Sequence, residues 1–184
     1  MTSIYLVPAV IITAVCTGCS AGAQSPRAAD VPRIVPAVDI SRYTGVWYEI
    51  AKIPNRFQRK CACNTTATYS LLGNGRINVV NRCVTASGDT IVARGMAKIA
   101  DTGSNAKLKV SFVRLFGISL FWADYWIIDL ADDYSYAVVG TPSRKYGWIL
   151  CREPHMADST YRTVSNRLHA RGYDPADFER TEQK

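Results

Sequence analysis

From Gly45 to Arg152 the chain is a succession of short alternating segments separated by turn residues, with no helical period among them. Lys107–Phe112 sets Leu108, Val110 and Phe112 on one face against Lys107, Lys109 and Ser111 on the other, the period of two of a half-buried strand. Thr65–Leu72 repeats it, with Ala67, Tyr69 and Leu71 opposed to Thr66, Thr68 and Ser70. Gly73-Asn74-Gly75 is a strong hairpin turn, and Gly88-Asp89, Asp101–Asn105, Ala131–Asp133 and Pro142–Arg144 mark further turns. Together these segments predict eight strands: 45–53, 65–72, 76–84, 90–99, 106–113, 124–130, 134–141 and 146–152. The fold class is all-β, an eight-stranded antiparallel up-and-down β-barrel. Closure removes the sheet edges that would pair between molecules, and eight strands leave room for side chains or one small ligand. Leu115–Phe121 is an apolar connection at the rim, suited to a packed loop or to contact with a membrane or partner. Past Pro154 the period changes. Tyr161, Val164 and Leu168 share one face of a predicted helix over 158–171, started by Asp158 or Ser159 and ended by Gly172. This single C-terminal α-helix is expected outside the barrel, against Trp126, Ile128 and Ile149. Residues 173–178 are expected to add a short strand.

The amino-terminal portion is of another kind. Ile4–Val15 is an uncharged, mainly apolar run of twelve residues, short of the roughly 20 that span a bilayer and suited to the core of a signal peptide. Cys16-Thr17-Gly18-Cys19 follows and resembles a bacterial lipobox, departing from the usual pattern in having Cys16 three residues before the modified cysteine. Residues 1–18 are then a lipoprotein signal peptide, Cys19 the lipidated first residue of the mature chain, and 19–37, rich in Ala and Pro without periodicity, a tether. Residues 38–184 form the folded domain. The net charge of +7 favours anionic surfaces, but no Lys/Arg tract points to nucleic acid.

Three segments in order carry a family resemblance: Gly45-x-Trp47 opening the first strand, Asp129 near the end of Tyr125–Asp129, and Arg152 closing Tyr146–Arg152. In this order and spacing, from about Val38 to Phe178, the chain resembles the lipocalin family, and more closely its bacterial outer-membrane lipoproteins. The resemblance implies that Trp47 plugs the closed end of the cup, with Arg152 stacked across its indole and Gly45 allowing the bend. It also implies a carrier of a fatty acid or lysophospholipid, held at the outer membrane by its lipid anchor and facing the periplasm, with a homodimer left open. No cofactor is expected.

Parity, with the phase of the last three strands borrowed from the resemblance, gives an inward set. The ligand pocket is expected from Glu49, Ala51, Ala67, Tyr69, Val79, Tyr125, Ile127, Val139, Tyr146 and Trp148, with Leu71, Ile77 and Ala137 also inward. These are mainly aromatic and aliphatic, and at about 0.8 kcal/mol per buried methylene an acyl chain needs no specific polar contact. Glu49 is the inward carboxylate and needs a partner, with Arg152 or a Tyr as candidates. The cysteines left in the folded domain are Cys61, Cys63, Cys83 and Cys151. Folding the hairpin about Asn74 sets Cys83 opposite position 65, which favours Cys63–Cys83, with Cys61–Cys83 the alternative. No metal site is expected, since Cys61-x-Cys63 lacks further ligands and His155 and His169 lie in the C-terminal segment. Nor is an enzyme expected: G-x-S-x-G and H-E-x-x-H are absent, leaving Glu49 or an unpaired Cys61 to act alone. An interaction module with a self-filled barrel is the competing class.

Overall fold

The computed structural model describes residues 31–115 and 118–184. The leader and Cys19 lie outside the described residues. Eight strands close the barrel: β1 (Gly45–Lys52), β2 (Cys63–Leu71), β3 (Ile77–Val84), β4 (Thr90–Ile99), β5 (Lys107–Ser111), β8 (Ala123–Leu130), β9 (Tyr136–Gly140) and β10 (Gly147–Cys151). Each pairs antiparallel with its neighbour, and β10 returns to β1. The apolar connection expected over 115–121 is instead a separate hairpin, β6 (Val113–Leu115) with β7 (Ile118–Leu120).

Registers assign the faces, because directly paired residues share one. Trp47 pairs with Ala67, Ala67 with Asn81, and Tyr69 with Val79, all inward. Two bulges reset the alternation. In β1, Glu49 pairs with Leu150 but Ala51 with Ile149 and Lys52 with Trp148. In β8, Ile127 pairs with Val139 but Asp129 with Val138 and Leu130 with Ala137.

The inner core is packed at the end where β1 begins. A four-residue helix, α1 (Ile40–Tyr43), capped by Asp39, and the segment before it cross that end. Val35, Val38, Ile40 and Tyr43 are buried there with Trp47, Tyr69, Ile77, Leu108, Tyr125, Ile127 and Leu150. Val35 N–H donates to the Ile127 carbonyl at 3.1 Å and Val38 N–H to Ser104 at 2.8 Å. Residues 31–37, expected in the tether, thus form part of the floor. Leu71 keeps inner parity but ends β2 beyond the floor, 48% exposed.

A second core lies outside the wall. Helix α2 (Asp158–His169) buries Val164 and Leu168 against Ile50, Ile128, Val138 and Ile149, with Trp126 and Tyr161 at its edge. Asp129 ties the helix down through Arg167 (3.5 Å) and Arg171 (3.4 Å). The position before the helix is Ala157, whose side chain cannot cap, so neither Asp158 nor Ser159 serves as the N-cap. After Gly172 (φ +78°) comes a 3₁₀ turn, Pro175–Asp177, so the strand falls later than residues 173–178. It is β11 (Glu179–Arg180), paired with β1.

Candidate functional site

At the closed end, the Arg152 guanidinium lies 3.8 Å from the centre of the fully buried Trp47 ring. It donates to the carbonyls of Val46 (2.8 Å) and Arg42 (2.6 Å). Trp47 Nε1 donates to the Tyr43 carbonyl at 2.8 Å. Gly45 has φ +98°, and a Cβ there would sit 3.1 Å from Arg152 Nη1. Backbone conformation and close approach therefore both favour glycine.

Above Trp47 three hydroxyls meet. Tyr43 lies 2.8 Å and Tyr69 2.9 Å from the Tyr125 hydroxyl. Burial pushes the Tyr69 hydroxyl up to about 12 and holds those of Tyr43 and Tyr125 well above the usual phenol value. This neutral, bonded triad is the floor of the cup. Tyr69, Tyr125, Val79, Ile127 and Val139 are buried at this level, and Ala137 is buried in the same core.

The mouth half differs. Ala93, opposite Asn81, and Ala123, opposite Val110, share the inner parity yet are exposed. Ala67, Asn81, Val110, Tyr146 and Trp148 are half-buried. At this end the inward side chains are thus partly open to solvent, in contrast to the sealed floor.

Glu49 faces the lumen and is 3% exposed. Neither Arg152, committed to Trp47, nor a tyrosine partners it. Because of the β1 bulge Lys52 turns inward beside it, Nζ 3.3 Å from Oε1. Thr181 donates to the same oxygen at 2.6 Å, and Gln58 Nε2 donates to Oε2. Gln58 also accepts from Trp148 Nε1 at 2.9 Å, so the 53–62 loop roofs this side of the mouth. Phe57, 67% exposed, meets Tyr146, whose ring stacks on Trp148 at 6.2 Å. The same bulge removes Ala51 from the pocket: its partner Ile149 faces outward, and Ala51 packs in the core beneath α2.

The C-terminal tail completes the wall where β1 and β2 separate. Thr181 N–H donates to the Ile50 carbonyl at 2.9 Å. Gln183 Nε2 donates to the carbonyls of Glu49 (2.8 Å) and Thr65 (3.0 Å). Sequence parity found neither Lys52 nor this tail, since a bulge and a long-range pairing leave no local periodic trace. Asn81 shares inner parity with Ile77 and Val79, and its spacing from them carries that signal in the sequence. Its Oδ1 is buried without a hydrogen-bond partner.

The disulfide joins Cys61 to Cys83, with Cα atoms 5.5 Å apart, correcting Cys63–Cys83. Cys63 pairs with Val84 while Thr66 pairs with Arg82. Asn64 and Thr65 therefore share one opposite position, Cys83, with Asn64 at φ +51°. This bulge turns Cys63 away and leaves it free and buried, as is Cys151. Among the described residues, no group of three or more His, Cys, Asp or Glu could hold a metal ion.

An up-and-down barrel with a plugged floor, a more open mouth and a helix on its flank is a cup-shaped architecture. Residues 38–183 match the model of the lipocalin-like domain, and the chain belongs to the lipocalin family. It is 39% identical over 153 residues to temperature-induced lipocalin-1 of Arabidopsis thaliana, covering 82% of each chain. It is 36% identical over 146 residues to the outer membrane lipoprotein Blc of Escherichia coli K12, covering 79% of each. Apolipoprotein D of Mus musculus is 33% identical over 160 residues, covering 83% of this chain and 80% of that one. Among solved structures, insecticyanin from the tobacco hornworm Manduca sexta superposes with a TM-score of 0.67 at 24% identity, covering 82% of this chain and 84% of that one. Lobster apocrustacyanin A1 gives 0.62 at 20%, covering 84% and 91%. At these identities the two structures speak for the fold alone.

Proposed function

We propose that this lipocalin binds a single-chain lipid, a fatty acid or lysophospholipid, and stores or carries it for envelope maintenance while anchored through Cys19 to the outer membrane. The action is binding, with no catalytic step. One observation carries the reading: around the paired Glu49 and Lys52, inward side chains at the mouth are mainly apolar or aromatic and partly open to solvent, whereas those at the floor are sealed. The Glu49–Lys52 pair neutralises itself, so the tail dominates affinity. About ten buried methylenes at about 0.8 kcal/mol each reach roughly 8 kcal/mol, the micromolar range before ordering costs. The lipobox-like Cys16–Cys19 and the relatives named outer membrane lipoprotein support the location and the bacterial subgroup. The plant and mammalian relatives match as well, so the subgroup rests on the leader.

Mass analysis of lipid released from protein purified from membranes is expected to find one fatty acid or lysophospholipid per cup. Titration with either should change the fluorescence of Trp148. Ala93→Trp places an indole at the solvent-open mouth on the inner face and should weaken binding at least 100-fold, about 3 kcal/mol, while leaving thermal stability close to that of the parent. Unchanged affinity in the filled variant, or no response to either lipid, rejects the reading.

A further inference from the structure

The barrel wall is incomplete on one side of the mouth. Strand β5 stops at Ser111, and β4 pairs with it only from Met96 to Ile99. Thr90–Gly95 therefore has β3 on one edge and no strand on the other among the described residues, an unusual length of open edge. Strand β8 starts only at Ala123. The gap between them is bordered by Ala93, Ala123 and Phe112, whose ring fills the space that Gly95 leaves. The β6–β7 hairpin emerges here, held at its base by Ser111, whose hydroxyl donates to the carbonyls of Val113 and Leu120.

This hairpin is apolar where it meets solvent. Val113, Leu115, Ile118 and Phe121, which follows β7, are 47, 55, 64 and 81% exposed. It also leans on a cationic wall. Ile118, Ser119 and Trp122 line a cleft of about 370 Å³ with Arg76 and Lys98, and Lys98 Nζ lies 4.5 Å from the Trp122 ring centre. Arg82 and Arg94 are exposed on the same outer face of β3 and β4. Asp124, on the outer face of β8 beside Lys109, is paired with it at 2.8 Å. Projecting apolar side chains beside cations short of acidic partners complement a surface that is oily within and anionic at its boundary. Chain length permits the contact. The thirteen residue-to-residue steps from Cys19 to Pro32 reach at most ~45 Å, against about 33 Å for a ten-residue strand such as β4.

We infer that the β6–β7 hairpin and the cationic outer wall of β3 and β4 dock this protein on an anionic phospholipid bilayer, with lipid phosphates in the cleft of Arg76, Lys98 and Trp122. The gap between β4 and β8 then faces the acyl layer, so a lipid passes sideways into the lumen without crossing water. Docking itself is independent of what the lumen holds, and its test needs no bound ligand.

The test uses the intact lipoprotein, whose anchor is common to all samples, with a spin label at Phe121→Cys and a control label at Glu153→Cys. In vesicles with one third phosphatidylglycerol, the label at 121 should be shielded from a water-soluble relaxing agent at least fivefold more than in phosphatidylcholine vesicles. The label at 153 should not change. Each cation near an anionic surface contributes about fivefold, so Arg76→Glu with Lys98→Glu should abolish the difference. Retained thermal unfolding of the double variant shows that it folds. A label at 121 that stays open to the aqueous agent in both vesicles overturns the inference. So does shielding that is equal in both and accompanied by short label-to-label distances, which would make the hairpin a self-association surface.

Discussion

Opening the Cys61–Cys83 bridge should destabilise the protein by an amount the closed loop sets. The two cysteines are 22 residues apart, and a loop of that length restricts the unfolded chain by about 3.4 kcal/mol at 25 °C. Cys61→Ala should therefore lower the unfolding free energy by about 3 kcal/mol in guanidinium titrations followed by tryptophan fluorescence, and reductant should have no further effect on it. Cys63→Ala removes one sulfur from a buried site and should cost about 1 kcal/mol, retaining the full response to reductant. The bridge also holds the 53–62 loop, in which Cys61 N–H donates to the Gln58 carbonyl at 2.9 Å and Gln58 covers Glu49. Lipid should accordingly leave the Cys61→Ala protein faster than the parent in stopped-flow displacement. Equal losses for the two variants, or a reductant response that survives in Cys61→Ala, would refute the bulge argument that places Cys83 beyond the reach of Cys63.

Tyr125→Phe strips both hydroxyl contacts from Tyr43 and Tyr69 and should cost about 2 kcal/mol in the same titration, because two buried hydroxyls lose their partner. The Tyr69 hydroxyl is raised from 10.0 to about 12. Its contribution is therefore complete below pH 10, where the folded and unfolded chains bind the proton alike. It is lost as pH rises from 10 through 12, where the unfolded chain releases the proton first. Alkaline unfolding should begin in that window and be shallower in Tyr69→Phe, as read by circular dichroism. Lys52→Met leaves the Glu49 carboxylate in the wall without its cation and should cost about 3 kcal/mol. Adding Glu49→Gln should restore most of that in a double-mutant cycle, since the buried charge goes with it.

Period two, turn residues and the late change to a helical period determined that this chain would build eight antiparallel strands and one flanking helix. Those signals are local, and each strand shows its alternation wherever one face is polar, as in β2 and β5. The family resemblance carried by the G-x-W opening and the terminal Arg152 also placed the floor, as the contact between Trp47 and Arg152 shows. What the sequence could not settle was phase. A bulge costs one residue of register and leaves no mark on composition, yet one moved Ala51 to the outer core and brought Lys52 inward to Glu49, and another set Asn64 and Thr65 together opposite Cys83, turning Cys63 away and leaving Cys61 to form the bridge. The tertiary structure alone decided three further things. The C-terminal tail fills the seam between β1 and β2, residues 31–37 seal the floor, and β5 ends early enough to leave the wall open. Each depends on which distant backbone groups remain unpaired once the barrel has closed, and that is a property of the assembled wall.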